Sequence, residues 1–527
     1  MPARVTFLLG RSGSGKTRRL HRCIKEALDK GRRVVVIVPE QFTFETERQL
    51  ASELGGLMDI EVYSFSSLAE KTLEGSYLGF LSRQGRRMAV RKTITEQGSK
   101  LRIFARVKDR PGFSERLCEL FTACKRYEVA PGDLLDGAEK AGEDSLLANK
   151  LTELALLYGE TESYISGRYM DSEDMFAALI QNLPSSPIAG AEVVIDDFDL
   201  LTDQLYHLMA AMTKHAESMY ISLRMDPKEG RDAKLFAPKR RAYARLYGAA
   251  QENGCDIRVI QLPDGNPKRQ TDPALAHLEA EVFAYPYKIY GGEAPSLRIA
   301  AATSVSAECE MAAEAVLRCA QRGMRYRDMA VIATEPAYEL QLLRSMQRRG
   351  IPCFSDGARK LSAYGAPRLV LSALKCVNRG YNLNYIMDML RTGLTGIEGG
   401  DIDLFENYAL RCGIGGTGFK KPFDQEIPEK VRGFIISRID NFHTAFVNAP
   451  TARDKAAALF AFMESMGLYD SINGLVGRLR AEGRHQLAEE NAQVYRLMLT
   501  VLDQLHAIMG EGAVSARRFA AILEEGF

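Results

Sequence analysis

A glycine-rich turn close to the start of the chain constrains its fold more than any other feature. Residues 10–17 read GRSGSGKT, which is the full G-x-x-x-x-G-K-S/T pattern. The apolar, partly β-branched run 5–9 before the turn predicts a buried strand, and helically spaced apolar residues in 17–29 predict a helix after it. A strand, a turn and a helix in this order predict an α/β fold with a phosphate-binding loop at the end of its first strand.

The residues of this loop are the candidates for nucleotide binding. They are Gly10, Arg11, Ser12, Gly13, Ser14, Gly15, Lys16 and Thr17. Glycines let backbone N–H groups turn toward phosphate oxygens, which a Cβ would obstruct. We expect the Lys16 ammonium to reach the β- and γ-phosphates of ATP and the Thr17 hydroxyl to bind Mg²⁺. The alternative, a chance glycine-rich turn, is disfavoured by the strand before it and the helix after it.

Composition and charge exclude several other classes of protein. The chain has 69 Lys and Arg against 68 Asp and Glu, so binding to nucleic acid would have to come from local patches. No apolar run is long enough for a signal peptide or a membrane span, which predicts a cytoplasmic protein without a membrane partner. The nine cysteines include no C-x-x-C pair, which predicts reduced thiols and no metal or iron–sulfur site held by cysteines of this chain.

Further strand-like runs divide the chain into alternating α/β and helical regions. These runs are residues 34–38, 61–63, 193–195, 219–223, 297–302 and 329–333. Strands separated by helical stretches predict a parallel sheet. The predicted domains are a first α/β domain (1–74 with 189–290), a helical insertion (75–188), the first part of a second α/β domain (291–374) and a second helical insertion (375–527).

The stretch VVVIVPEQFTFETERQL at residues 34–50 resembles the AddB/RexB family, the B subunit of the bacterial ATP-dependent helicase–nuclease that processes double-strand DNA ends. Residues 62–73, 325–356 and 391–416 resemble the same family, in the family's order. The resemblance implies a P-loop NTPase fold of the superfamily-one, UvrD-like helicase type, with two RecA-like domains and helical insertions. It also implies an AddA-like partner subunit, single- and double-stranded DNA as ligands, and a role in recombinational repair.

The resemblance further implies that this chain is the N-terminal part of a longer protein. Family members are about twice as long, and their nuclease domain with its iron–sulfur cysteines would lie beyond Phe527. The second half of the second motor domain, with the helicase arginine motif, would lie there too. We therefore expect the family's cluster outside this chain and no nuclease activity from it.

Two aspartates after the run 193–195 bear on whether ATP is hydrolysed. Asp196 directly follows that predicted strand and is a candidate Mg²⁺-associated carboxylate. Asp197 stands where active helicases carry Glu and is one methylene shorter, so it is a weak candidate for a catalytic base. Active relatives carry an arginine shortly after the strand corresponding to 329–333, where this chain has Glu335. After 219–223 the chain lacks the glutamine of the helicase Gly-Asp-x-x-Gln segment, and these departures together predict a pseudo-motor.

Candidate DNA contacts follow the second and third predicted strands, because loops there touch single-stranded DNA in helicases of this plan. They are Phe42, Thr43, Ser64 and Phe65. Aromatic rings can stack on bases and hydroxyls can bond phosphates, and the alternative is that the rings pack against the sheet. The basic runs 83–91 and 239–241 could follow a phosphate backbone or form solvated helix faces. The alternative function is a free-standing P-loop ATPase or kinase, although a kinase's lid arginines and acceptor site are not assembled here.

Overall fold

The computed structural model describes residues 3–56, 59–74, 80–110, 112–142, 145–198, 201–226, 228, 230–262, 272–355 and 359–527. These residues fall into two compact units. The first unit contains the described residues up to 262 together with 283–287 and 364–527. The second unit contains residues 272–282 and 288–363, apart from the gap at 356–358.

A six-stranded sheet forms the core of the first unit. Its strands are β1 (Arg4–Gly10), β2 (Val34–Ile37), β3 (Ile60–Tyr63), β4 (Glu192–Ile195), β5 (Ser218–Arg224) and β6 (Asp256–Gln261). They lie in the order β3-β2-β4-β5-β1-β6, and neighbouring strands pair in parallel. Parallel strands covered on both faces are continuous apolar runs, as in β2 and β4, whose residues are all buried. The predicted α/β fold with a parallel sheet is confirmed.

Strand β6 is the one strand of this sheet that the sequence did not predict. It lies at the edge beside β1, and most of its residues are exposed or half-buried. Charged residues in its sequence DIRVIQ hide the apolar pattern that marks a strand. An edge strand needs less apolar cover, so the sequence signal is weak at this position.

Helices on both faces of the sheet bury its side chains in two separate layers. The sheet is flanked by α1 (Lys16–Leu28), α2 (Thr43–Leu54), α3 (Phe65–Leu73), α9 (Asp203–Met212) and α10 (Ala233–Glu252). Successive residues of a strand point to opposite faces, so Phe7 packs in the larger layer with Phe65 while Leu8 packs in the other layer with Leu20. The sheet is thereby fixed as a rigid platform under the loops that follow its strands.

The predicted insertion 75–188 is helical in its described residues. It forms α4 (Arg83–Gln97), α5 (Phe113–Arg126), α6 (Pro131–Lys140), α7 (Leu146–Ile165) and α8 (Asp174–Asn182). Within the basic run of α4, Arg86 is buried and bridges Asp171 and Glu162, and Lys125 reaches the same two carboxylates at 2.9 and 2.6 Å. Arg86 therefore neutralises buried acids of the insertion and does not offer a surface to DNA.

The carboxyl-terminal helices belong to the first unit. They are α14 (Gly365–Arg379), α15 (Leu383–Leu390), α16 (Gly399–Arg411), α17 (Glu426–Asn448), α18 (Ala452–Ser465), α19 (Leu468–Ala481), α20 (His485–Met509) and α21 (Ala516–Gly526). They contact the insertion directly: Arg87 of α4 bridges Glu525 at 3.0 Å. The predicted boundary at 374/375 is wrong, because it cuts α14, whose buried stripe runs on from Leu369 to Val377.

The second unit contains α11 (Pro273–Glu281), α12 (Val305–Gln321) and α13 (Pro336–Arg348). The strands predicted at 297–302 and 329–333 are wrong, since neither segment is a strand in the structure. Ile299 is fully exposed, and Ile332 is 90% exposed. A strand forms when neighbouring strands satisfy its N–H and C=O groups and helices cover its faces, and within the described residues neither segment has such neighbours.

Among the described residues, no helix combines the length and the apolar content that crossing a bilayer takes.

Candidate nucleotide site

A pocket of about 330 Å³ lies at the carboxyl ends of β1, β4 and β5. It is lined by Ser12, Gly13, Gly15, Lys16, Thr17, Arg18, Asp196, Asp197 and Arg224. In an open parallel sheet the loops that follow adjacent strands meet at one edge, which is where such sheets bind ligands. The fold thus brings the predicted glycine-rich loop and both predicted aspartates to one pocket, together with two arginines that were not predicted, Arg18 and Arg224.

Three glycines of the loop stand where a side chain would be strained or would clash. Gly13 and Gly15 have φ of 75° and 88°, in the left-handed region. A Cβ on Gly10 would lie 2.4 Å from the Ser14 Oγ, so the first glycine makes room for the turn. Arg11 points out of the pocket and bridges Asp226 and Asp232 at 3.0 and 2.7 Å, which ties the loop to the residues after β5.

Lys16 is the first residue of α1, and its ammonium lies inside the loop. Its Nζ donates to the carbonyl oxygens of Gly10 and Arg11, at 2.9 and 2.8 Å. Burial lowers the pKa of Lys16 to about 8, against the opposing effect of Asp196. An ammonium that is partly desolvated and bonded only to two carbonyl oxygens is strongly stabilised by a neighbouring anion. The position of Lys16 therefore suits a phosphate group.

Thr17 and Asp196 face each other across the floor of the pocket. The Thr17 Oγ1 donates to Asp196 Oδ2 at 2.8 Å, and the Ser222 hydroxyl of β5 donates to the other oxygen of the same carboxylate. A hydroxyl and a buried carboxylate placed side by side are the oxygen ligands that Mg²⁺ prefers when it also binds phosphates. The donor set therefore fits the Mg²⁺ that would accompany a nucleotide.

Asp197 lies next to Asp196 in the chain but is oriented differently. Its φ is 63°, a left-handed conformation that few non-glycine residues adopt. Its side chain forms an ion pair with Arg224, the last residue of β5, and both side chains are about half exposed. The carboxylate thus faces a cation at the rim of the pocket.

Sequence reasoning missed two residues of this pocket, Arg18, which directly follows the predicted loop, and Arg224. Arg224 lies far from the loop in the sequence. The sequence showed only that the helicase glutamine is absent after 219–223, and nothing in the local pattern marks the arginine. Its position becomes meaningful through the register of the sheet, which sets Arg224 beside Gly10 of β1. The one available signal was its place at the end of a strand predicted to lie in the same sheet as the loop.

The structure separates the four candidate DNA contacts into two pairs. Phe42 is 42% exposed after β2, and the Thr43 hydroxyl donates to the Glu40 carbonyl at 3.0 Å in the first turn of α2. The prediction that Ser64 and Phe65 contact DNA is corrected. Both side chains are buried, because α3 begins immediately after β3 and turns them inward. Ser64 caps α3 by accepting a hydrogen bond from the backbone N–H of Ser67.

The ring of Phe65 packs on Phe198 with centroids 4.9 Å apart, in the larger core layer. Exposed aromatic surface after β2 is instead extended by Phe44, which is 74% exposed. Phe44 lies in the first turn of α2 and was not among the predicted contacts. Phe42 and Phe44 are therefore two exposed phenylalanines that follow β2.

Comparison with known proteins agrees with the resemblance. A family model described as "ADDB, N-terminal" matches residues 7–279, just over half of the chain. A protein of Acetivibrio thermocellus is 32% identical over 99% of the chain and 49% of its own length, and one of Desulforudis audaxviator has the same identity and coverage. A protein of Alkaliphilus metalliredigens is 29% identical over the same shares. All three are named as the B-type subunit of an "ATP-dependent helicase/deoxyribonuclease", and the chain spans about half the length of these curated relatives.

Proposed function

The chain belongs to the family of AddB N-terminal regions, and on that premise we propose that it is the helicase-like, nucleotide-binding part of an AddB-type subunit. In this proposal the subunit works in the cytoplasm with an AddA-like partner on broken double-stranded DNA, in recombinational repair. The relatives are named as one subunit of an enzyme, which supports a partner, and their full name supports DNA as the substrate and ATP as a cofactor. The pairing of Thr17 with Asp196 supports Mg²⁺ beside the ATP.

The proposed fold is that of a superfamily-one P-loop helicase core with two RecA-like domains. The sheet of the first unit supports the first of these domains, since the glycine-rich loop follows β1 and the carboxylates follow β4, with β5 between the two strands. The second domain, whose first part is predicted at residues 291–374, is proposed to be built around the second unit, although the described residues of that unit supply the helices α11, α12 and α13 and no strand. The two helical regions are the insertions of the same plan.

The observation that carries the proposal is the convergence of Lys16, Thr17 and Asp196 in one pocket. In the proposed complex Lys16 leaves its two backbone acceptors and donates to phosphate oxygens. Backbone N–H groups of residues 13–17 surround the phosphates at the positive end of α1. Thr17 and Asp196 hold the Mg²⁺, which neutralises charge on the phosphate oxygens when it is bound.

We propose further that this nucleotide is held without being consumed. Hydrolysis needs a carboxylate that positions water and arginines that neutralise the transition state. Asp197 is short for that task, and its carboxylate is engaged by Arg224. The family resemblance implies an arginine in active relatives where this chain has Glu335, the residue before α13 in the second unit. These features support a subunit that scaffolds and guides DNA while its partner supplies the motor.

A DNA-guiding role is supported by the exposed rings of Phe42 and Phe44. Stacking of one base on an aromatic ring contributes about 1–3 kcal/mol, so Phe44→Ala is expected to weaken binding of labelled oligothymidylate roughly fivefold or more in fluorescence anisotropy. Phe460→Ala removes an exposed ring from α18 and serves as the matched control, with no expected change. Equal losses from both variants would remove the support for these rings as DNA contacts.

Nucleotide binding is tested by titrating the whole chain with ATP–Mg²⁺ in a calorimeter. Saturable binding that requires Mg²⁺ supports the proposal, and failure of ATP to bind at millimolar concentration contradicts it. The alternative of a free-standing ATPase or kinase predicts rapid turnover by the chain alone or transfer of phosphate to an acceptor. No feature of the described pocket favours that alternative.

A further inference from the structure

The pocket contains a cation that does not belong to the phosphate-loop motif. Arg224 ends β5, and its Cα is paired in register with Gly10 of β1. Because β5 lies between β1 and β4, Arg224 stands between the glycine-rich loop and the carboxylates that follow β4. It therefore faces the place where the outer phosphate of a nucleotide would lie if the loop holds the inner ones.

Arg224 shares the pocket with the cations Lys16 and Arg18. The charge of Arg224 helps to lower the pKa of Lys16, although burial of the ammonium is the larger cause. Two cations that disfavour each other across a small pocket are both stabilised when an anion enters between them.

The ion pair of Arg224 with Asp197 can be exchanged at low cost. The side chains keep 39% and 43% of their exposure, and ion pairs of this kind contribute about 0–1 kcal/mol to stability. A phosphate group carries more charge than a carboxylate and accepts parallel hydrogen bonds from a guanidinium fork. A phosphate that arrives next to Arg224 should therefore displace Asp197.

We propose that Arg224 contacts the terminal phosphate of a bound nucleoside triphosphate and gives up its ion pair with Asp197 to do so. This rests on the proposed function, since the loop must first place the inner phosphates. A diphosphate does not reach Arg224 and leaves the pair closed. Arg224 is then the specificity-determining residue that distinguishes a triphosphate from a diphosphate, and the pair is a latch between the ends of β4 and β5.

The test compares ATP–Mg²⁺ with ADP–Mg²⁺ in calorimetric titrations of the whole chain and of Arg224→Gln. Because Arg224→Gln removes a charge-assisted contact, ATP affinity is expected to fall roughly tenfold, while ADP affinity should change by less than about twofold. Arg22→Gln removes an exposed arginine of α1 and is the matched control, with both affinities within about twofold of the parent chain. Arg224→Lys keeps the positive charge but lacks the parallel donors of the guanidinium. Its ATP affinity should therefore fall about threefold, while its ADP affinity stays unchanged.

A double-mutant cycle tests the exchange itself. Asp197→Asn removes the carboxylate that competes with phosphate for Arg224, so it should raise the ATP affinity about threefold in the parent chain. In the Arg224→Gln background the competition no longer exists, and the gain should shrink to the small effect of the lost negative charge alone. Equal gains in the two backgrounds would mean that Asp197 and Arg224 act independently, which overturns the latch.

The outcomes separate this inference from the proposed function. If the parent chain binds ATP and Arg224→Gln weakens ATP and ADP equally, or neither, the inference is wrong and the proposed function stands. If the parent chain binds neither nucleotide, both are wrong. Thermal melting of each variant shows whether it is folded, and should Arg224→Gln unfold, the ATP-to-ADP ratio of Arg224→Lys decides by the same criteria.

Discussion

The two sides of the nucleotide pocket are built differently. On the side formed by α1 and Asp196, Lys16, Thr17 and Asp196 are held by hydrogen bonds of 2.8–2.9 Å to the loop or to each other. On the other side, Asp197 follows β4 in a left-handed conformation and pairs with Arg224, the last residue of β5, at the surface. The first side carries the side chains that binding of phosphate and Mg²⁺ would need, whereas the Asp197 carboxylate on the second side is paired with an arginine.

This difference shows that binding and hydrolysis make separate demands on the same fold. A phosphate cradle needs backbone N–H groups, one ammonium and a metal-binding carboxylate, all of which follow from the loop and β4. Hydrolysis also needs a base of the right reach and arginines that act only in the transition state. The proposed role follows from this separation, since the first set could hold nucleotide in a chain where the second set is incomplete.

The largest effect is expected on the holding side. Lys16→Ala removes the ammonium from the loop and should cost about 2–3 kcal/mol of ATP affinity, which corresponds to roughly 30–150-fold. Lys25→Ala is the matched control, because it removes an exposed lysine near the end of the same helix. It should leave the ATP affinity unchanged. A loss below about threefold for Lys16→Ala in the calorimeter would mean that this side does not hold phosphate through its ammonium.

The second expected effect is on Mg²⁺. Asp196→Asn keeps the shape of the side chain but removes the charge beside Thr17, so the Mg²⁺ concentration needed for half-maximal ATP binding should rise roughly tenfold. Asp256→Asn alters an exposed aspartate at the start of β6 and is the matched control. An unchanged Mg²⁺ requirement would mean that Asp196 does not hold the metal, which contradicts the assignment of Mg²⁺ to this side of the pocket.

The third effect concerns pH. Because the pKa of Lys16 is lowered to about 8 and phosphate binding needs the charged form, ATP affinity should be full near neutral pH and fall as pH rises through 8. The charged fraction drops roughly tenfold between pH 7 and pH 9, and the affinity should follow it. Lys16→Arg stays charged over this range and should flatten the profile. A steep fall that persists in Lys16→Arg would point to another titrating group.

The smallest effect is expected on the opposite side of the pocket. Asp197→Glu restores the reach of a helicase base but leaves the transition-state charge without its arginines, so ATP turnover should stay within about twofold of the parent chain. Phosphate release is measured with and without single-stranded DNA. A large rise in the rate would show that a single methylene separates this pocket from an active one.

Much of the fold and part of the site could be predicted from local sequence. The loop and Asp196 were found because their residues are contiguous or directly follow an apolar run. Arg224 was missed because its role depends on the pairing of β5 with β1 and β4, which brings together residues far apart in the chain. Ser64 and Phe65 were assigned to DNA from their place after a strand, but burial there depends on where α3 begins.

The same limit explains the second unit. Residues 329–333 have the apolar composition of β2, yet β2 is covered on both faces and paired with β3 and β4, while Ile332 is exposed. Apolar composition predicts that a segment can be a strand, and its neighbours decide whether it becomes one. The boundary inside α14 was wrong for a related reason, since nothing in the local pattern marks where helical packing resumes.

The most direct test of the central claim, that this pocket holds nucleotide without consuming it, is steady-state ATP turnover by the purified chain at saturating ATP–Mg²⁺ and single-stranded DNA. Binding of ATP should be measurable in the same sample, while phosphate release stays at background and does not differ between the parent chain and Lys16→Ala. DNA-stimulated turnover approaching about one per second, abolished by Lys16→Ala, would contradict the account and identify the pocket as a working motor site.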